Sequence, residues 1–277
     1  MPELPEVETV ARGLRALVIG REIVDTRLLG VKLRRINPRN FKSRVTGRRF
    51  INVRRRGKNL LLDLSDDLSL WAHLKMTGRF VESQGHTGID RHDHLIMELG
   101  PAGKRAKTRL VFRDVRKFGF VKLAQTSKLM EQQSLQTLGP EPLEISRDEF
   151  VRLISERRRA IKPALLDQTL IAGLGNIYTD EALFAARIHP RALTCEISSR
   201  KLGALHEEVQ RVLTLAINRM GTTFDSYSGV NGEPGRFQKY LKVYGRENES
   251  CTRCGRKITR LVIGQRSAHF CSRCQRR

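Results

Sequence analysis

Two pairs of cysteines near the C-terminus constrain the fold of this 277-residue chain more than any other feature of its sequence. The pairs are Cys251-x2-Cys254 and Cys271-x2-Cys274, and a two-residue gap lets a tight turn direct both thiolates at one ion. Two such turns supply the tetrahedral set of four sulfur ligands that suits Zn²⁺. Because the protein supplies every ligand, no coordination position stays open for chemistry, and we predict one structural zinc ion per chain.

The alternative use of the same four cysteines is a pair of disulfide bonds, which a reducing compartment disfavours. The acidic N-terminus lacks the cationic and apolar regions of a signal peptide, so we expect a cytoplasmic protein. The fifth cysteine, Cys195, is left over and is expected to be an inert buried thiol.

The chain carries a large positive charge, because 52 lysines and arginines oppose 29 acidic residues and give a formal net charge of +23. Such a field attracts polyanions, and neutralised phosphates release counterions, so nucleic acid is the predicted partner. An anionic membrane surface is the rival. The sequence has no run of about 18 apolar residues, and its basic residues are spread along the chain instead of being gathered in one amphipathic segment. We therefore predict no membrane partner, and without a dimer seam we expect a monomer.

The residue pattern changes once along the chain, from strands to helices, and the length suits two domains. Apolar residues at three- and four-residue spacing from Val7 to Leu17 predict a first helix that ends at Gly20 and anchors the N-terminus. Short β-leaning runs then continue to about residue 125. The predicted strands are Glu22–Leu29, Arg49–Arg55, Leu60–Leu64, His94–Leu99, Arg109–Arg113 and Gly119–Leu123.

Beyond about residue 135 the pattern is helical. Ser146 and Glu149 have the spacing of a capping box, and Leu202 to Met220 form a long amphipathic pattern closed by Gly221. Between these helices lies a Gly173-x-Gly175-Asn176 turn, whose backbone amides suit a phosphate at a helix N-terminus. An ordinary corner between two helices is an equally good interpretation of this turn from the residues alone.

The opening MPELPEVETV suggests chemistry at the N-terminus. Removal of Met1 would free Pro2 as a secondary amine, for which the reference α-amino pKa is about 7.7–8.0. Such an amine attacks an electrophilic sugar carbon and gives an iminium that accepts electrons during elimination, while Glu3 and Glu6 are candidates for proton transfer. The alternative is a solvated end whose acids favour the first turn of the helix.

Seven segments in chain order resemble the formamidopyrimidine-DNA glycosylase family, bacterial repair enzymes for oxidised purines. They are MPELPEVETV, HLKMTGRF, RDVRKFG, LGPEPL, GLGNIYTDE, VYGRENESC and IGQRSAHFCSRCQRR. The resemblance implies an α+β fold with an N-terminal β-sandwich and flanking helices, then a helix-two-turn-helix domain ending in a zinc-finger β-hairpin. The expected boundaries are residues 1–134 for the catalytic domain, 135–245 for the helical DNA-binding domain and 246–277 for the zinc finger.

The resemblance also implies an activity and roles for named residues. The expected enzyme is a bifunctional DNA glycosylase and AP lyase that removes 8-oxoguanine and formamidopyrimidines in base excision repair and cleaves the strand by β,δ-elimination. Pro2 would be the Schiff-base nucleophile at C1′ and Glu3 the proton donor of base excision, with Glu6 an acidic neighbour. Lys58 would donate a proton during β-elimination and hold a phosphate by the lesion. Arg266 would grip the phosphates flanking the lesion and assist δ-elimination.

A base buried in a duplex must be extruded before it is excised, and another group must fill the hole. The resemblance assigns this role to Met76, Arg116 and Phe118. Met76 and Phe118 would otherwise be interpreted as core residues from the pattern alone. Further phosphate-contacting positions implied by the resemblance are His92, Asn176 and Arg157, of which Arg157 aligns least clearly. His73 and Lys75 flank Met76 in the sequence, so we expect them on the same DNA-facing edge.

Three points of the sequence leave alternatives open. Val115 stands where relatives often carry proline, although the neighbouring arginine and phenylalanine are kept. The endonuclease VIII branch, which favours oxidised pyrimidines, usually opens Pro-Glu-Gly-Pro-Glu, whereas Leu4 stands at the third of these positions here. A catalytically silent DNA-binding protein would share the charge, the zinc ligands and the glycine-rich turn, but would not require Pro2, Glu3 and Lys58.

A lesion-covering loop is expected near Thr222–Phe237, where glycines and polar residues suit a mobile lid.

Overall fold

Among the described residues of the first 125, the alternating and apolar runs fold into eight antiparallel strands in two four-stranded sheets. One sheet has the order β1-β6-β7-β5 and the other the order β2-β3-β4-β8. The strands are β1 Ile23–Leu28, β2 Phe50–Arg56, β3 Asn59–Leu64, β4 Leu68–His73, β5 Gly78–Ser83, β6 Asp93–Leu99, β7 Thr108–Asp114 and β8 Phe120–Gln125. This computed structural model describes residues 1–83, 88–100, 108–223, 229–230 and 232–276.

The six predicted strands are confirmed to within a few residues at each end, while β4 and β5 were not predicted. Strand β4 is buried at five consecutive positions, so it shows no alternation between polar and apolar residues. Strand β5 begins with a glycine, Gly78, and carries more polar than apolar residues. Its pairing with β7, from Gly78 opposite Asp114 to Ser83 opposite Arg109, makes it a strand, and this pairing is a tertiary contact.

Helix α1 (Leu4–Val18) lies along the core that both sheets share. The apolar residues on its inner face are buried, for example Val7 and Leu14, and Gly20 follows the helix with a φ of 76° that suits glycine. The N-terminus is held, as predicted, since Pro2 and Glu3 are buried. Two short helices that were not predicted, α2 (Val31–Ile36) and α3 (Phe41–Val45), complete this part of the chain together with α4 (Gln133–Gln136).

Two units divide the chain: residues 1–136 with 220–236, and residues 137–219 with 237–277. The second unit is helical and contains α5 (Arg147–Ser155), α6 (Ile161–Leu166), α7 (Asn176–Ala185) and α8 (Ser199–Asn218). The Ser146 hydroxyl accepts a hydrogen bond from the Glu149 amide at 3.2 Å, which is the predicted N-cap of α5. None of the helices in the described part of the chain is both long and apolar enough to cross a membrane.

The cysteine-rich end of the second unit forms the antiparallel hairpin of β9 (Thr259–Ile263) and β10 (Arg266–Phe270). Cys251 and Cys271 are buried in a small apolar cluster with neighbours from the rest of the unit. The prediction for Cys195 was wrong, because this thiol is exposed. It lies on a single 3-10 turn, Thr194–Glu196, in which Thr194 points inward and its neighbours point to solvent.

The outer edge of the second sheet is closed by one buried asparagine. Strand β8 is an edge strand, so its outward backbone groups need partners. The side-chain amide of Asn37 donates to the Val121 carbonyl at 2.8 Å, and its oxygen accepts from the Leu123 amide at 2.7 Å. Asn37 directly follows α2, so the same contacts attach that helix to the sheet.

We expect the substitution Asn37→Ala to lower the free energy of unfolding by about 2–3 kcal/mol, because it leaves buried backbone groups without partners. Chemical denaturation would measure the loss. The control Asn40→Ala changes an exposed residue a few positions away and should cost less than about 0.5 kcal/mol. Equal losses in the two variants would contradict the role of Asn37.

Candidate functional site

The N-terminus is fixed by the carboxylate of Glu6, which is 2% exposed. One of its oxygens accepts the Glu3 amide at 2.8 Å, one turn back along the chain, and the other accepts the Thr222 amide at 2.7 Å. Glu6 therefore joins the start of the chain to the segment that follows α8. Since both oxygens receive backbone donors, Glu6 holds Pro2 and Glu3 in position more directly than it could serve as a proton carrier.

Gly221 is required where this segment meets Glu6. An added Cβ at Gly221 would lie 2.7 Å from the Glu6 Oε1 atom, and its φ of 75° is a left-handed conformation that side chains disfavour. Residues 224–228 and 231 of the predicted lesion-covering loop lie outside the described residues. Met1 precedes the buried proline and is 48% exposed, so its peptide bond to Pro2 is near solvent.

Lys58 lies in the two-residue turn that joins β2 to β3. The hairpin closes with Arg56 opposite Asn59, and Gly57 supplies the positive φ of 55° that the turn requires. Lys58 is 7% exposed, which is unusual for a lysine in a turn. A lysine that only added charge to a basic surface patch would be exposed, so the burial of Lys58 supports a specific role for its side chain.

His73, at the end of β4, lies among lysines. The lysines that act on its ring are Lys75, Lys58 and Lys32, and burial together with these charges lowers the pKa of His73 to about 3. The Nδ1 atom accepts the Lys75 amide at 3.0 Å, so the neutral ring carries its proton on Nε2. A neutral donor surrounded by cations is a suitable environment for a phosphate.

A five-residue loop from Val115 to Gly119, here called the wedge loop, joins β7 to β8. The carboxylate of Asp114 is fully buried and accepts the amides of Arg116 at 3.2 Å and Gly119 at 2.7 Å. The Thr77 hydroxyl donates to the same carboxylate. One buried anion thus organises the backbone from which Arg116 projects.

Met76 and Phe118 are exposed, by 40% and 50% respectively, and are not core residues. The Arg116 guanidinium lies 4.9 Å from the centre of the Phe118 ring, within the range of a cation–π contact. Two large apolar side chains and an arginine therefore project to solvent from loops of the same unit. Exposed apolar groups of this size are typical of a binding surface.

His92 precedes β6 and is half-buried. Its amide donates to Asp90 at 2.8 Å, and its Nε2 atom accepts the Arg91 side chain at 3.0 Å. Its Nδ1 atom is buried without a hydrogen-bond partner among the described residues. These contacts fix the ring, and they leave one nitrogen for a ligand.

Asn176 and Arg266 come together in the second unit. Asn176 is the first residue of α7, after the glycine-rich turn, and its side-chain amide donates to the Ser267 hydroxyl at 3.2 Å. Arg266 precedes Ser267 in β10 and is exposed. Among the described residues the buried Oδ1 atom of Asn176 has no hydrogen-bond partner, and Asn176 lies at a helix N-terminus, whose amide N–H groups suit an anion.

A buried ion pair that sequence analysis did not identify holds the Arg266 hairpin to the helices. Lys162 and Asp180 are 0% and 1% exposed and lie 2.5 Å apart. The Lys162 ammonium also donates to the Ser267 carbonyl, and Asp180 accepts the amide and ring of His269. Removing either member would leave a buried charge without its partner. The signal in the sequence was a pair of carboxylates, Asp180 and Glu181, among the mostly apolar residues of α7.

Glu181 attaches the chain that leads to the zinc finger. Its buried carboxylate accepts the amides of Lys242, Val243 and Tyr244 at 2.9–3.0 Å. Burial and the neighbouring Asp180 raise its pKa, while the three amides act in the opposite direction.

Arg157, which follows α5, is exposed. No described hydrogen bond links it to Asn176 or to Arg266.

The four paired cysteines fit a zinc ion. Their sulfur atoms all lie within 4.8 Å of one another. The Sγ atoms of Cys251 and Cys274 are 3.9 Å apart, and those of Cys254 and Cys271 are 3.4 Å apart. A tetrahedron with Zn–S bonds of about 2.3 Å places its sulfurs about 3.8 Å apart. The predicted structural zinc site is thereby confirmed, and the ion would stabilise the hairpin that carries Arg266.

We expect His73 to remain neutral from about pH 8 to about pH 5, so NMR should show no titration of this ring in that range. Because its pKa is lower in the folded protein than the ordinary 6.5, the unfolded chain binds more protons. Stability should therefore fall as the pH drops below 6.5 towards 3, and it should fall less in His73→Gln. A ring that titrates near its ordinary value would contradict the buried, lysine-rich environment.

Metal analysis should find one zinc ion per chain, and Cys254→Ser should lose it, together with the dispersed amide signals of β9 and β10. Cys195→Ser is the matched control, because it removes an exposed thiol outside the cluster. Retention of zinc and of the folded hairpin in Cys254→Ser would show that this thiolate is not needed as a ligand.

Three family models match the chain in order. The formamidopyrimidine-DNA glycosylase N-terminal domain matches residues 1–121, the formamidopyrimidine-DNA glycosylase H2TH domain matches 138–228, and the zinc finger found in FPG and IleRS matches 248–277. These matches confirm the predicted fold class, with β-sheets first, then the H2TH helices and a zinc-finger hairpin.

Relatives and solved structures agree over the full length. The formamidopyrimidine-DNA glycosylase of Streptococcus pyogenes is 41% identical, covering 100% of this chain and 99% of the relative. That of Halalkalibacterium halodurans is 43% identical, covering 100% of both. A Lactococcus lactis FPG variant in complex with Fapy-dG-containing DNA matches with a TM-score of 0.92 at 34% identity and 100% coverage of both chains. A Lactococcus lactis Fpg complex with abasic-site DNA matches with a TM-score of 0.91 at 35% identity, covering 99% and 100%. The chain therefore belongs to the formamidopyrimidine-DNA glycosylase family of bacterial enzymes, which act on damaged DNA.

Proposed function

We propose that this protein excises oxidised purines from duplex DNA through the amine of Pro2 and then cleaves the strand by β,δ-elimination, as a step of base excision repair. The preferred lesions are 8-oxoguanine and formamidopyrimidines. The observation that carries the proposal is the buried Pro2-Glu3 end, which the carboxylate of Glu6 holds through the Glu3 amide at 2.8 Å. A binding protein would have no need to bury and fix its terminal residues in this way.

The chemistry follows from a secondary amine next to a carboxyl group. Once Met1 is removed, the Pro2 nitrogen attacks C1′ while the damaged base leaves with its bonding electrons and takes a proton from Glu3. The nitrogen loses its proton, and its lone pair then forms the iminium as the C1′–O4′ bond breaks and O4′ takes up a proton, which opens the sugar ring. Loss of a C2′ proton expels the 3′ phosphate, and a second elimination expels the 5′ phosphate. Hydrolysis of the iminium returns the free amine.

Lysines near His73 support a phosphate beside this centre. Lys58 is buried in its hairpin turn, and its charge acts on the same ring as that of Lys75. We assign Lys58 to the proton transfer of β-elimination and to the phosphate by the lesion. His73 and Lys75 extend this surface, and His92 contributes a ring nitrogen that is unpartnered among the described residues.

The exposed trio of Met76, Arg116 and Phe118 would fill the hole that base extrusion leaves. Phe118 is suited to wedge a base step and Met76 to adapt its shape to the stack. The Arg116 fork would hydrogen-bond the orphaned partner base. Their exposure supports this role, because a core position would prevent each of these contacts.

In the second unit we assign phosphate contacts to Asn176 and Arg266, with Arg157 as a further basic contact. The amide N–H groups at the start of α7 and the charge of Arg266 both favour an anion. We expect the protein to act as a monomer in the bacterial cytoplasm, associated with the nucleoid through DNA. Its net charge of +23 supports strong attraction to the backbone phosphates.

Borohydride trapping on a duplex with 8-oxoguanine opposite cytosine tests this mechanism. We expect one covalent adduct, located on Pro2 by mass spectrometry, together with strand cleavage. Protein that retains Met1 is the matched control, because its Pro2 nitrogen is an amide without a nucleophilic lone pair. Glu3→Gln should lose base excision by at least about 100-fold, the usual contribution of a general acid, and should still cleave a preformed abasic site.

Three outcomes would contradict the proposal. Tight binding of Met1-free protein without base release or adduct would identify a silent damage-binding protein. Base release without an adduct would retain a glycosylase and remove Pro2 as its nucleophile. Faster excision of oxidised pyrimidines than of 8-oxoguanine would show that the protein has the substrate preference of the endonuclease VIII branch.

A further inference from the structure

The wedge loop, residues 115–119, is held from a second side by a lysine that lies far from it in the sequence. Lys32 is the second residue of α2, and its ammonium donates to the carbonyls of Phe118 at 2.7 Å, Gly119 at 3.1 Å and Lys117 at 3.4 Å. A lysine ammonium has three donors, so these carbonyls use all of them. Among the described residues no carboxylate pairs with Lys32.

The wedge loop needs such support because its backbone is strained. Lys117 has a φ of 60°, a left-handed conformation that costs roughly 1–2 kcal/mol for a residue with a side chain. Gly119 leaves no space for adjustment, since an added Cβ there would lie 2.9 Å from the Phe112 ring and 3.1 Å from the His73 carbonyl. A loop of this kind keeps one shape when its neighbours over-determine it.

Two opposite charges, on Asp114 and Lys32, fix the shape of the wedge loop. Asp114 accepts amides of the wedge loop from the buried side, and Lys32 donates to its carbonyls from the exposed side. The peptide between Phe118 and Gly119 therefore lies between a cation and an anion, and both ends of its dipole are stabilised. The ammonium hydrogen-bonds the Phe118 carbonyl itself, which places the attachment at the residue whose ring projects to solvent.

We propose that Lys32 is a positioning residue that holds the wedge loop in the shape required for Phe118 and Arg116 to enter the duplex. The inference rests on the wedge role assigned to these two side chains in the proposed function. Lys32 orders the wedge loop before the protein contacts DNA. Insertion of Phe118 and Arg116 therefore carries no additional entropic cost for ordering the loop. Its loss slows base extrusion without weakening general attraction to DNA beyond the effect of one charge.

The test compares Lys32→Met with Arg35→Met in the full-length protein without Met1. Arg35 lies on the same helix, is exposed and has no described partner, so its replacement removes one charge and no contact. The probe is a duplex with 2-aminopurine next to 8-oxoguanine, whose fluorescence rises in stopped flow when the stack opens. We expect Lys32→Met to slow this rise and single-turnover base release about tenfold, and Arg35→Met less than about twofold.

Two controls exclude a general defect. Both variants should bind undamaged duplex with equal affinity at one salt concentration, because each lacks one charge. Their melting temperatures should agree within about 2 °C, because both positions are on the surface. Lys32→Arg, which keeps the charge and the donors, should restore at least half of the lost rate.

Equal extrusion rates in Lys32→Met and Arg35→Met would overturn the inference. If Phe118→Ala slows extrusion while Lys32→Met does not, the wedge role stands and the positioning role of Lys32 is wrong. If Phe118→Ala and Arg116→Ala both extrude the base at the parental rate, the wedge role itself fails, and the inference for Lys32 fails with it.

Discussion

Buried carboxylates that accept backbone amides hold the functional segments of this protein in place. Glu6 fixes the N-terminus, Asp114 fixes the wedge loop, and Glu181 fixes residues 242–244 before the zinc finger. An ionised carboxylate in a core is tolerated when several donors surround it, and backbone amides supply them without an opposing charge. The same contact therefore stabilises the buried acid and orders the segment, so that folding and positioning occur together.

The cations are arranged differently from the anions. A formal charge of +23 leaves many lysines and arginines without acidic partners, and three lysines act on the ring of His73. Burial, together with the charges of Lys75, Lys58 and Lys32, lowers the pKa of the His73 ring to about 3. Repulsion between like charges opposes folding, so the protein keeps most of its cations at its surface. A bound polyanion would relieve the repulsion between them.

Met76 and Phe118, two of the exposed apolar residues of the first unit, have the same local backbone arrangement. Met76 follows Lys75, which has a φ of 54°, and Phe118 follows Lys117, which has a φ of 60°. A left-handed residue reverses the chain direction, so the next side chain is directed away from the sheet instead of into the core. Sequence periodicity places an apolar residue inward, and in these loops the backbone conformation overrides that preference.

The sequence by itself determined the elements that local chemistry specifies. Spacing predicted the zinc ligands, because two tight turns suffice to gather four thiolates, and periodicity predicted α1, α8 and six strands. The tertiary structure decided what depends on distant partners: strand β5 exists through its pairing with β7, and Asn37 works through a strand more than 80 residues away. The buried pair of Lys162 and Asp180 likewise joins residues whose charges, in a sequence, would suggest a solvated surface. Burial is a property of the assembled fold, and it turns an ordinary charged residue into one that positions a site.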